Sequence, residues 1–408
     1  MAKPKLALIP ATQGQKLYSV LPANGVGDFN FSRVSSATRI NKDGLIETVT
    51  QQNSRLNYPL IDGVVNGCPS HLLEPQSLNS QTNSEDLTVA SSYPLGAVSI
   101  SSNQAISPNG TLNADKLVES NTNGRHELYG KSLSFSGTTS VSFFAKAAER
   151  RYISVFAGGN PAVGGATFDV QDGLITLSSG GTTSNIEKYP NGWYKCSFTS
   201  TFSGTQNVYY CLRDNGNAVD VQTYQGDGTS GMYLWGFQTE IGQSYPTSYI
   251  PTSGSAVTRA AETANGSGDA STFNDSSGVL MAEISALVSD STAKAITINQ
   301  SSTNELGFYY YQSRIDAYVI SGTSQFSTTF FLNPNTNNKI SLKYKVNDFA
   351  LWVNGVEVAT GSSGTTPSGL NKLEFTDSFS NNFYGNIKQI QYFDSALTDA
   401  ELQALTTI

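Results

Sequence analysis

One strand followed by two prolines constrains the fold of this chain more than any other segment. The side chains from 233 to 241 alternate, and the apolar face that this predicts comprises Tyr233, Trp235, Phe237 and Ile241. The opposite face comprises Leu234, Gly236, Gln238 and Glu240. Because Pro246 and Pro251 fix φ and lack a backbone donor, the chain must leave the sheet as an extended strap. The pattern predicts one β domain that ends here and another that begins after the strap.

Composition also favours an all-β protein of several domains. Only 14% of the residues are charged, against about 25% in an average globular protein, and glycine and aromatic residues are frequent. The 24 basic and 32 acidic residues give a net charge of −8 without a basic tract, which argues against nucleic-acid binding. A length of 408 residues is enough for two or three domains with separate cores.

The three cysteines, Cys68, Cys196 and Cys211, are too few for a disulfide scaffold. If Ser203 and Gly204 form the turn between two strands, Cys196 and Cys211 lie opposite each other across that hairpin. Two interpretations remain open: both are reduced and packed, as buried cysteine commonly is, or they form a cross-strand disulfide.

The start of the chain has an apolar run of only about five residues before Pro10, which is too short for a secretory signal. No segment approaches the ~20 apolar residues of a membrane-spanning helix. We therefore expect the chain to be made soluble in the cytoplasm, with any extracellular role beginning by release.

The strand signals divide the chain into three regions, 1–78, 79–262 and 263–408. The first is a small β region with a hairpin at Asp43-Gly44. The second has short β runs separated by turns at the spacing of a sandwich, and the third has a second such series with a hairpin at Asn354-Gly355. The predicted fold class is all-β: a small N-terminal β region followed by two β-sandwiches.

A short helix is predicted at the end of the third region. Thr398 and Glu401 have the spacing of a capping box, in which each side chain bonds the backbone amide of the other residue. Leu402 and Leu405 then share a face that can lie on the sandwich.

Several motifs resemble those of bacteriophage virion structural proteins. The segment 235–261 resembles the "W-G-x-Q-x-E … T-S-Y-I-P-T … T-R-x-A" ending of a jelly-roll domain in such proteins, and 72–79 resembles the "L-L-E-P … N" linker that precedes it. The strand pair "A-L-W-V-N-G-V" and the later "A-L-T-D-A-E-L" resemble the second half of a concanavalin-A-like (laminin-G-like) sandwich. The resemblance implies a jelly roll at 79–262 and a concanavalin-A-like domain at 263–408.

The resemblance further implies a fibre or spike on the head or tail of the virion, or a decoration protein. The region 1–78, with Phe29, Arg33 and Arg39, is then expected to anchor the chain on other virion proteins or on copies of itself. A homo-oligomer, most commonly a trimer, is expected, with no membrane insertion. The sandwiches would contact a host-surface glycan.

Residues that could carry catalysis are few. A glycosidase needs two carboxyl groups about 5–10 Å apart, and the nearest candidates are Glu374 with Asp377 and Asp169 with Asp172. Neither pair has the every-second-residue spacing that places acids on one strand face, so we expect no enzyme. His71 and His126 have no Gly-x-Ser-x-Gly partner, and no zinc-ligand spacing occurs.

No cofactor is expected, with calcium as the alternative, because laminin-G-like sandwiches often bind it through loop oxygens. The candidate ligands are Asp275, Asp290, Asp316, Asp348 and Asp377.

An aromatic run carries the candidate binding site. In Phe308-Tyr-Tyr-Tyr311, alternation puts Tyr309 and Tyr311 on one face and Phe308 and Tyr310 on the other. One pair is core, and the other can stack on sugar C–H surfaces and bond through its hydroxyls. We predict Tyr309, Tyr311 and Tyr318 as carbohydrate-binding residues, with packing against another domain or subunit as the competing interpretation.

Two other functions compete with the virion component. One is a bacterial carbohydrate-binding surface protein, which the lectin-like third region favours and the absent signal segment opposes. The other is a polysaccharide depolymerase, which needs a carboxyl pair that the sequence does not display.

Overall fold

A computed structural model describes residues 2–89, 91–92, 95–158, 164–219 and 222–408. The described chain is all-β, with one short α-helix near its end, as predicted. The first region contributes ten strands, which are β1 (Leu6–Gln13), β2 (Lys16–Leu21), β3 (Phe29–Ser32), β4 (Ala37–Ile40), β5 (Ile46–Val49), β6 (Arg55–Asn57), β7 (Leu60–Ile61), β8 (Val64–Val65), β9 (Ser70–Leu73) and β10 (Ser77–Asn79).

The second region is a sandwich of two six-stranded sheets, ordered β11-β15-β22-β17-β18-β19 and β12-β13-β24-β16-β21-β20, and β14 and β23 pair in a separate two-stranded sheet. Its strands are β11 (Leu95–Gly96), β12 (Val98–Ile106), β13 (Leu112–Glu119), β14 (Asn123–Arg125), β15 (Glu127–Tyr129), β16 (Leu133–Ala147), β17 (Tyr152–Ala157), β18 (Gly165–Asp169), β19 (Leu174–Ser178), β20 (Thr183–Lys188), β21 (Tyr194–Gln206), β22 (Val208–Arg213), β23 (Thr223–Gln225) and β24 (Gly231–Ile241). Phe143, Tyr210 and Phe237 meet in the core between the sheets.

The third region is a second sandwich. Before it, on the strap, β25 (Val257–Arg259) pairs with β10 in a separate two-stranded sheet. The strands of the third region are β26 (Thr263–Asn265), β27 (Ser277–Ala286), β28 (Lys294–Ser301), β29 (Asn304–Tyr311), β30 (Arg314–Ser321), β31 (Thr323–Phe331), β32 (Asn338–Lys345), β33 (Phe349–Val353), β34 (Val356–Gly361), β35 (Lys372–Glu374) and β36 (Gly385–Phe393), followed by α1 (Asp399–Thr406). One sheet has five strands in the order β31-β30-β29-β28-β35. The other has eleven, and its main path is β26-β3-β2-β1-β36-β27-β32-β33-β34.

Five strands of the first region, β1, β2, β3, β6 and β9, belong to the eleven-stranded sheet of this second sandwich. β1 pairs with the end of β36, with Leu6 opposite Tyr392, and β9 pairs with the start of the same strand, with Leu73 opposite Gly385. Phe29 on β3 stacks on a ring of the C-terminal core. Pairing between strands far apart in the sequence leaves no local signal. The division at residue 78 therefore marks a change in the strand signals, whereas the second sandwich includes strands from before it.

Strand β24, which precedes the two prolines of the strap, contains a bulge at Gly236. Gly236 has a φ of +68°, and the register with β16 shifts between the pairs Ser142↔Gln238 and Phe144↔Trp235. The shift reverses the alternation, so Phe237 joins the sandwich core while Trp235 packs on the outside against Phe144. The predicted single face with both Trp235 and Phe237 is therefore wrong, and both faces of β24 are buried.

The two sandwich cysteines lie in different sheets. Cys196 is on β21, opposite Phe143, whereas Cys211 is on β22, opposite Glu127. The hairpin that was to place them opposite each other does not form, because β21 continues through Ser203 and Gly204 to Gln206 and pairs with β16. Both thiols are free and buried, and burial raises their pKa values.

The C-terminal helix α1 covers one outward face of the second sandwich. The capping box is present, with Thr398 accepting from the amide of Glu401 and Glu401 accepting from the amide of Thr398. Leu402 and Leu405 pack on the eleven-stranded sheet beside Trp352, as predicted for this face. Among the described residues, no helix is long and apolar enough to cross a membrane.

Candidate functional site

The outward face of the five-stranded sheet carries the three predicted tyrosines. Phe308 and Tyr310 are buried in the core, while Tyr309 and Tyr311 on β29 face outward, as alternation requires. Tyr318 lies on the neighbouring strand β30, and its ring centroid is 6.1 Å from that of Tyr309. The three side chains line one groove of about 620 Å³, which we call the tyrosine groove.

Arg314 and Asp316 on β30 lie beside the tyrosine rings, opposite Tyr311 and Tyr309 on β29. The Arg314 guanidinium lies over the ring of Tyr311, 4.8 Å from its centroid, and its Nε donates to Asp316 Oδ2 at 2.8 Å. Thr329 on β31 donates to the other oxygen of Asp316. Strand register places these side chains beside one another, since Tyr309, Asp316 and Thr329 form one row across three strands.

A loop at residues 376–382 crosses the sheet and forms one wall of the groove. Thr297 on β28 donates to the carbonyl of Thr376 at 2.7 Å, which attaches the loop to the sheet. Asp377 accepts the amides of Phe379 and Asn381, both at 2.9 Å, and so fixes the turn. The Phe379 side chain is 77% exposed and lines the groove. The wall thus presents a large apolar ring to solvent beside the tyrosines.

A third carboxyl group lies beneath the wall. Glu305 on β29 accepts from the Tyr318 hydroxyl and from the amide of Ser378 at 3.2 Å. Burial raises the pKa of Glu305, an effect that the Tyr318 hydrogen bond opposes and that nearby Asp377 reinforces. Burial also raises the pKa of the Tyr318 hydroxyl.

The carboxyl groups around the groove hold its walls in place. Both carboxyl oxygens of Asp316, Asp377 and Glu305 accept hydrogen bonds from the protein, which suits a rigid binding surface. Of the acid pairs considered for catalysis, Asp169 and Asp172 share Arg151 in the first sandwich. Asp377 of the other pair is one of the carboxyl groups that hold the groove wall. The arrangement offers rings for stacking and polar edges for hydroxyl groups.

The residues expected to anchor the chain have a different place. Phe29 and Arg33 are buried, and Arg33 Nη1 pairs with Glu262 Oε1 at 2.6 Å. Both side chains therefore contact the interior of this chain, and the expectation that they touch another chain is corrected. Arg39 lies near the surface, where its Nη2 is 2.8 Å from Oε2 of Glu47, and its anchoring role stays a prediction.

Two residues of the motifs at 72–79 and 235–261, Glu74 and Arg259, lie in a buried ionic cluster. The cluster comprises Arg33, Arg55, Arg259, Glu74 and Glu262. Arg55 Nε donates to Glu262 Oε1 at 2.9 Å, and Arg55 Nη2 is 2.8 Å from Glu74 Oε2. Arg259 pairs with Glu74 as well. Although burial would raise it, the Arg259 and Arg55 charges hold the pKa of Glu74 at about 2. The cluster joins the first region, the linker and the strap, so these motif residues are structural.

The five aspartates considered for calcium lie in separate places. Asp316 and Asp377 line the tyrosine groove, whereas Asp290 pairs with Lys294 at 2.6 Å and Asp348 pairs with a buried lysine on β32. Asp275 accepts the amides of residues 369 and 370. Within the described ranges, no three histidine, cysteine, aspartate or glutamate side chains are grouped to hold a metal ion. Calcium binding stays a prediction.

Both histidines are buried among structural partners. Nδ1 of His71 lies 3.2 Å from Oγ of Ser54, and burial lowers the pKa of His71 to about 4. His126 contacts the carbonyl oxygens of Ala97 and Tyr224 at 2.8 and 3.2 Å. Neither imidazole lines the tyrosine groove.

Sequence reasoning missed Arg314 and Phe379, which line the groove, and Phe331 on the neighbouring edge strand. Arg314 shares the outward alternation of Asp316 and Tyr318 on β30, so the period of two could have identified it. Phe331 is 76% exposed and lies opposite Arg314, at the edge strand. Phe379 sits in a loop without periodicity, and only its place in the fold brings it to the groove.

No protein-family model and no curated protein sequence matches this chain. Among solved structures, the chain is similar to CBM40 of the Ruminococcus gnavus IT-sialidase bound to α2,3-sialyllactose, with 15% identity, a TM-score of 0.31, and coverage of 34% of this chain and 86% of that chain. It is similar to domain 4 of AbnA, a GH43 extracellular arabinanase from Geobacillus stearothermophilus in complex with arabinotriose, with 10% identity, a TM-score of 0.31, and coverage of 36% and 73%. Domains LG4-5 of the mouse laminin alpha1 chain match with 10% identity and a TM-score of 0.24, over 84% of this chain and 96% of that one. These likenesses are weak, and the ligands are those of the other proteins.

Proposed function

We propose that the chain is a non-enzymatic adhesion protein that binds glycan in the tyrosine groove. The observation that carries the proposal is the outward face of the five-stranded sheet, where Tyr309, Tyr311 and Tyr318 stand beside the exposed ring of Phe379. Large aromatic rings on a fixed sheet lose little conformational entropy on binding and can stack on the C–H face of a pyranose.

Such a site is weak by itself. An aromatic contact contributes about 0.5–1.5 kcal/mol beyond buried area, so a groove with three or four rings gives modest affinity. Many copies on one particle raise the overall affinity because each later contact is intramolecular. The proposal therefore includes display in several copies, as a homo-oligomer, most commonly a trimer, together with other virion proteins.

The proposed setting is a bacteriophage virion, with the chain as a head or tail fibre, spike or decoration protein. Its support is the pair of motifs at 72–79 and 235–261 that resemble such proteins. The ionic cluster adds a physical reason for both motifs, because Glu74 of the first pairs with Arg259 of the second and ties the linker to the strap. Mass spectrometry of purified particles tests this setting, and absence of the chain from intact virions would refute it.

Binding to an array of glycans tests the groove. The full-length chain should bind, and Tyr309→Ala should lower the affinity about tenfold, which corresponds to 1.4 kcal/mol. Tyr18→Ala is the matched control, since Tyr18 lies on β2 in the other sheet and does not line the groove. An equal loss in both variants would place the binding elsewhere.

The same preparation tests the absence of catalysis. Because the carboxyl groups beside the groove are engaged in hydrogen bonds, we expect no new reducing ends from any polysaccharide that the chain binds. Steady release of reducing ends that Glu305→Gln abolishes would establish a depolymerase instead.

A further inference from the structure

We infer that the ligand of the tyrosine groove is an extended, uncharged oligosaccharide of at least two residues that runs along β30, an inference that rests on the proposed function of this groove. Three features of the outward face carry it: the spacing of the aromatic rows, the sign of the charge beside them, and the neutral polar edge on β31.

The aromatic rings occupy successive rows of the sheet. Tyr311 lies opposite Arg314, Tyr309 lies opposite Asp316, and Tyr318 lies two residues further along β30, opposite Gly307. Rows on one face are two residues apart, about 6.6–6.8 Å, so the first and third rows are separated by about 13 Å. That length exceeds one pyranose ring. A single sugar can contact one end of the platform, whereas a chain can contact both.

The charge beside the rows disfavours an anionic sugar. Arg314 is the one cationic residue that lines the groove in the described chain, and it is already paired with Asp316 at 2.8 Å. Asp377 in the wall and Glu305 beneath it add negative charge without a cationic partner in the groove. A uronate or sialate carboxylate would lie near two carboxyl groups that have no cationic partner in the groove, whereas a neutral hydroxyl group would meet no such repulsion.

The edge opposite the wall is polar and uncharged. Ser327 and Thr329 on β31 are exposed and face the groove, and Ser324 continues the row toward the end of the strand. Asn381 supplies an amide from the wall. Hydroxyl and amide groups can both donate to and accept from sugar hydroxyls, so this edge suits a neutral chain.

A chain-length series on the full-length protein tests the extended ligand. The probes are neutral glycans of one to six residues from the array hits, and affinity should rise from one residue to three and then level off. Tyr311→Ala and Tyr318→Ala should each weaken the longer ligands about tenfold, because one chain contacts both ends. Tyr311→Phe and Tyr318→Phe keep the rings and should largely restore binding, which separates stacking from misfolding. If the monosaccharide binds as tightly as the trisaccharide, or if only one of Tyr311→Ala and Tyr318→Ala lowers the affinity, the extended ligand is refuted.

A matched series of charged glycans tests the sign of the ligand. Uronate-containing and sialylated oligosaccharides of equal length should bind at least about tenfold more weakly than neutral ones. Asp316→Asn removes one negative charge and should narrow this difference, with thermal melting as the control for the fold. Tighter binding of the anionic set would overturn the inference while leaving glycan binding intact. Absence of binding to every glycan would instead overturn the proposed function, and this inference with it.

Discussion

The two sandwiches differ in how much of their outward surface the chain itself covers. In the first sandwich, Trp235 and Phe144 on one sheet pack under Tyr249 of the strap and Ile46 of the first region. On its other sheet, the carbonyl of Ala218 accepts from Thr167, and the neighbouring Val219 packs on Phe156 and Cys211. Both outward faces of this sandwich are therefore partly occupied by other segments of the same chain.

The second sandwich has one covered face and one open face. Helix α1 lies on the eleven-stranded sheet, against Val279, Met281 and Trp352. The five-stranded sheet has the loop 376–382 along one side, and the remaining face carries the tyrosines. Both halves of the molecule are β-sandwiches, so this architecture alone does not locate a site. What distinguishes the candidate face is that its tyrosine rings and the exposed ring of Phe379 line one open groove.

The largest effect is expected in the buried ionic cluster. Glu262→Ala leaves Arg33 and Arg55 buried without their main counter-charge, which should lower the free energy of unfolding by about 3–5 kcal/mol. Glu47→Ala breaks the surface pair with Arg39 and should cost less than about 1 kcal/mol. Denaturant unfolding measures both. Equal costs would show that the buried cluster contributes no more to stability than a surface ion pair does.

A matched pair of phenylalanines compares a covered face with the open one. Phe144 is 1% exposed and contacts Tyr189, Trp235 and Tyr249, so Phe144→Ala should destabilise by about 3–5 kcal/mol. Phe379→Ala, at an exposed site, should change stability by less than about 0.5 kcal/mol. Glycan affinity should respond in the opposite order, with the loss at Phe379. Thermal unfolding and glycan titration of both variants decide whether the faces divide stability and binding in this way.

The second sandwich should also lose stability in acid through His71, which is buried on β9 of the eleven-stranded sheet. Burial lowers the pKa of His71 to about 4, below the ordinary value of 6.5. The folded state therefore binds fewer protons than the unfolded state between these values. This contribution is fully present above pH 6.5 and is lost as the pH falls toward 4, by up to about 2–3 kcal/mol.

His71→Gln is the test of that pH dependence. The variant lacks the titrating group, so the difference between its free energies of unfolding at pH 7 and pH 4.5 should be smaller than in the parent chain. An unchanged difference would assign the acid response to other groups, such as the carboxyl groups of the ionic cluster.

Local pattern predicted the outward placement of Tyr309 and Tyr311 but not the surroundings of these side chains. The outward placement of Tyr309 and Tyr311 follows from a period of two, which holds wherever a strand lies in a fold. The wall could not be predicted, because Thr297 and Thr376 are 79 residues apart and neither sequence pattern encodes the contact. The calcium hypothesis had already selected Asp316 and Asp377, although for another role.

The largest differences from the sequence prediction have the same origin. Leu6 pairs with Tyr392 across almost the whole chain, and an apolar strand near the start carries no mark of its partner. At Gly236 a signal did exist, since glycine inside a strand often marks a bulge, and using it would have placed Trp235 correctly. The fold class was predictable, whereas the partners of the strands were not.

The smallest expected effect concerns the cover on the other face of the second sandwich. Thr398→Ala removes one half of the capping box and should destabilise α1 by about 1 kcal/mol. Thr360→Ala, at an exposed position on β34, is the control and should stay within about 0.5 kcal/mol. Because α1 packs on the sheet that is remote from the tyrosine groove, the affinity for glycan should not change in either variant. A parallel loss of binding in Thr398→Ala alone would show that the covered face and the open face are coupled, against the division that the two surfaces imply.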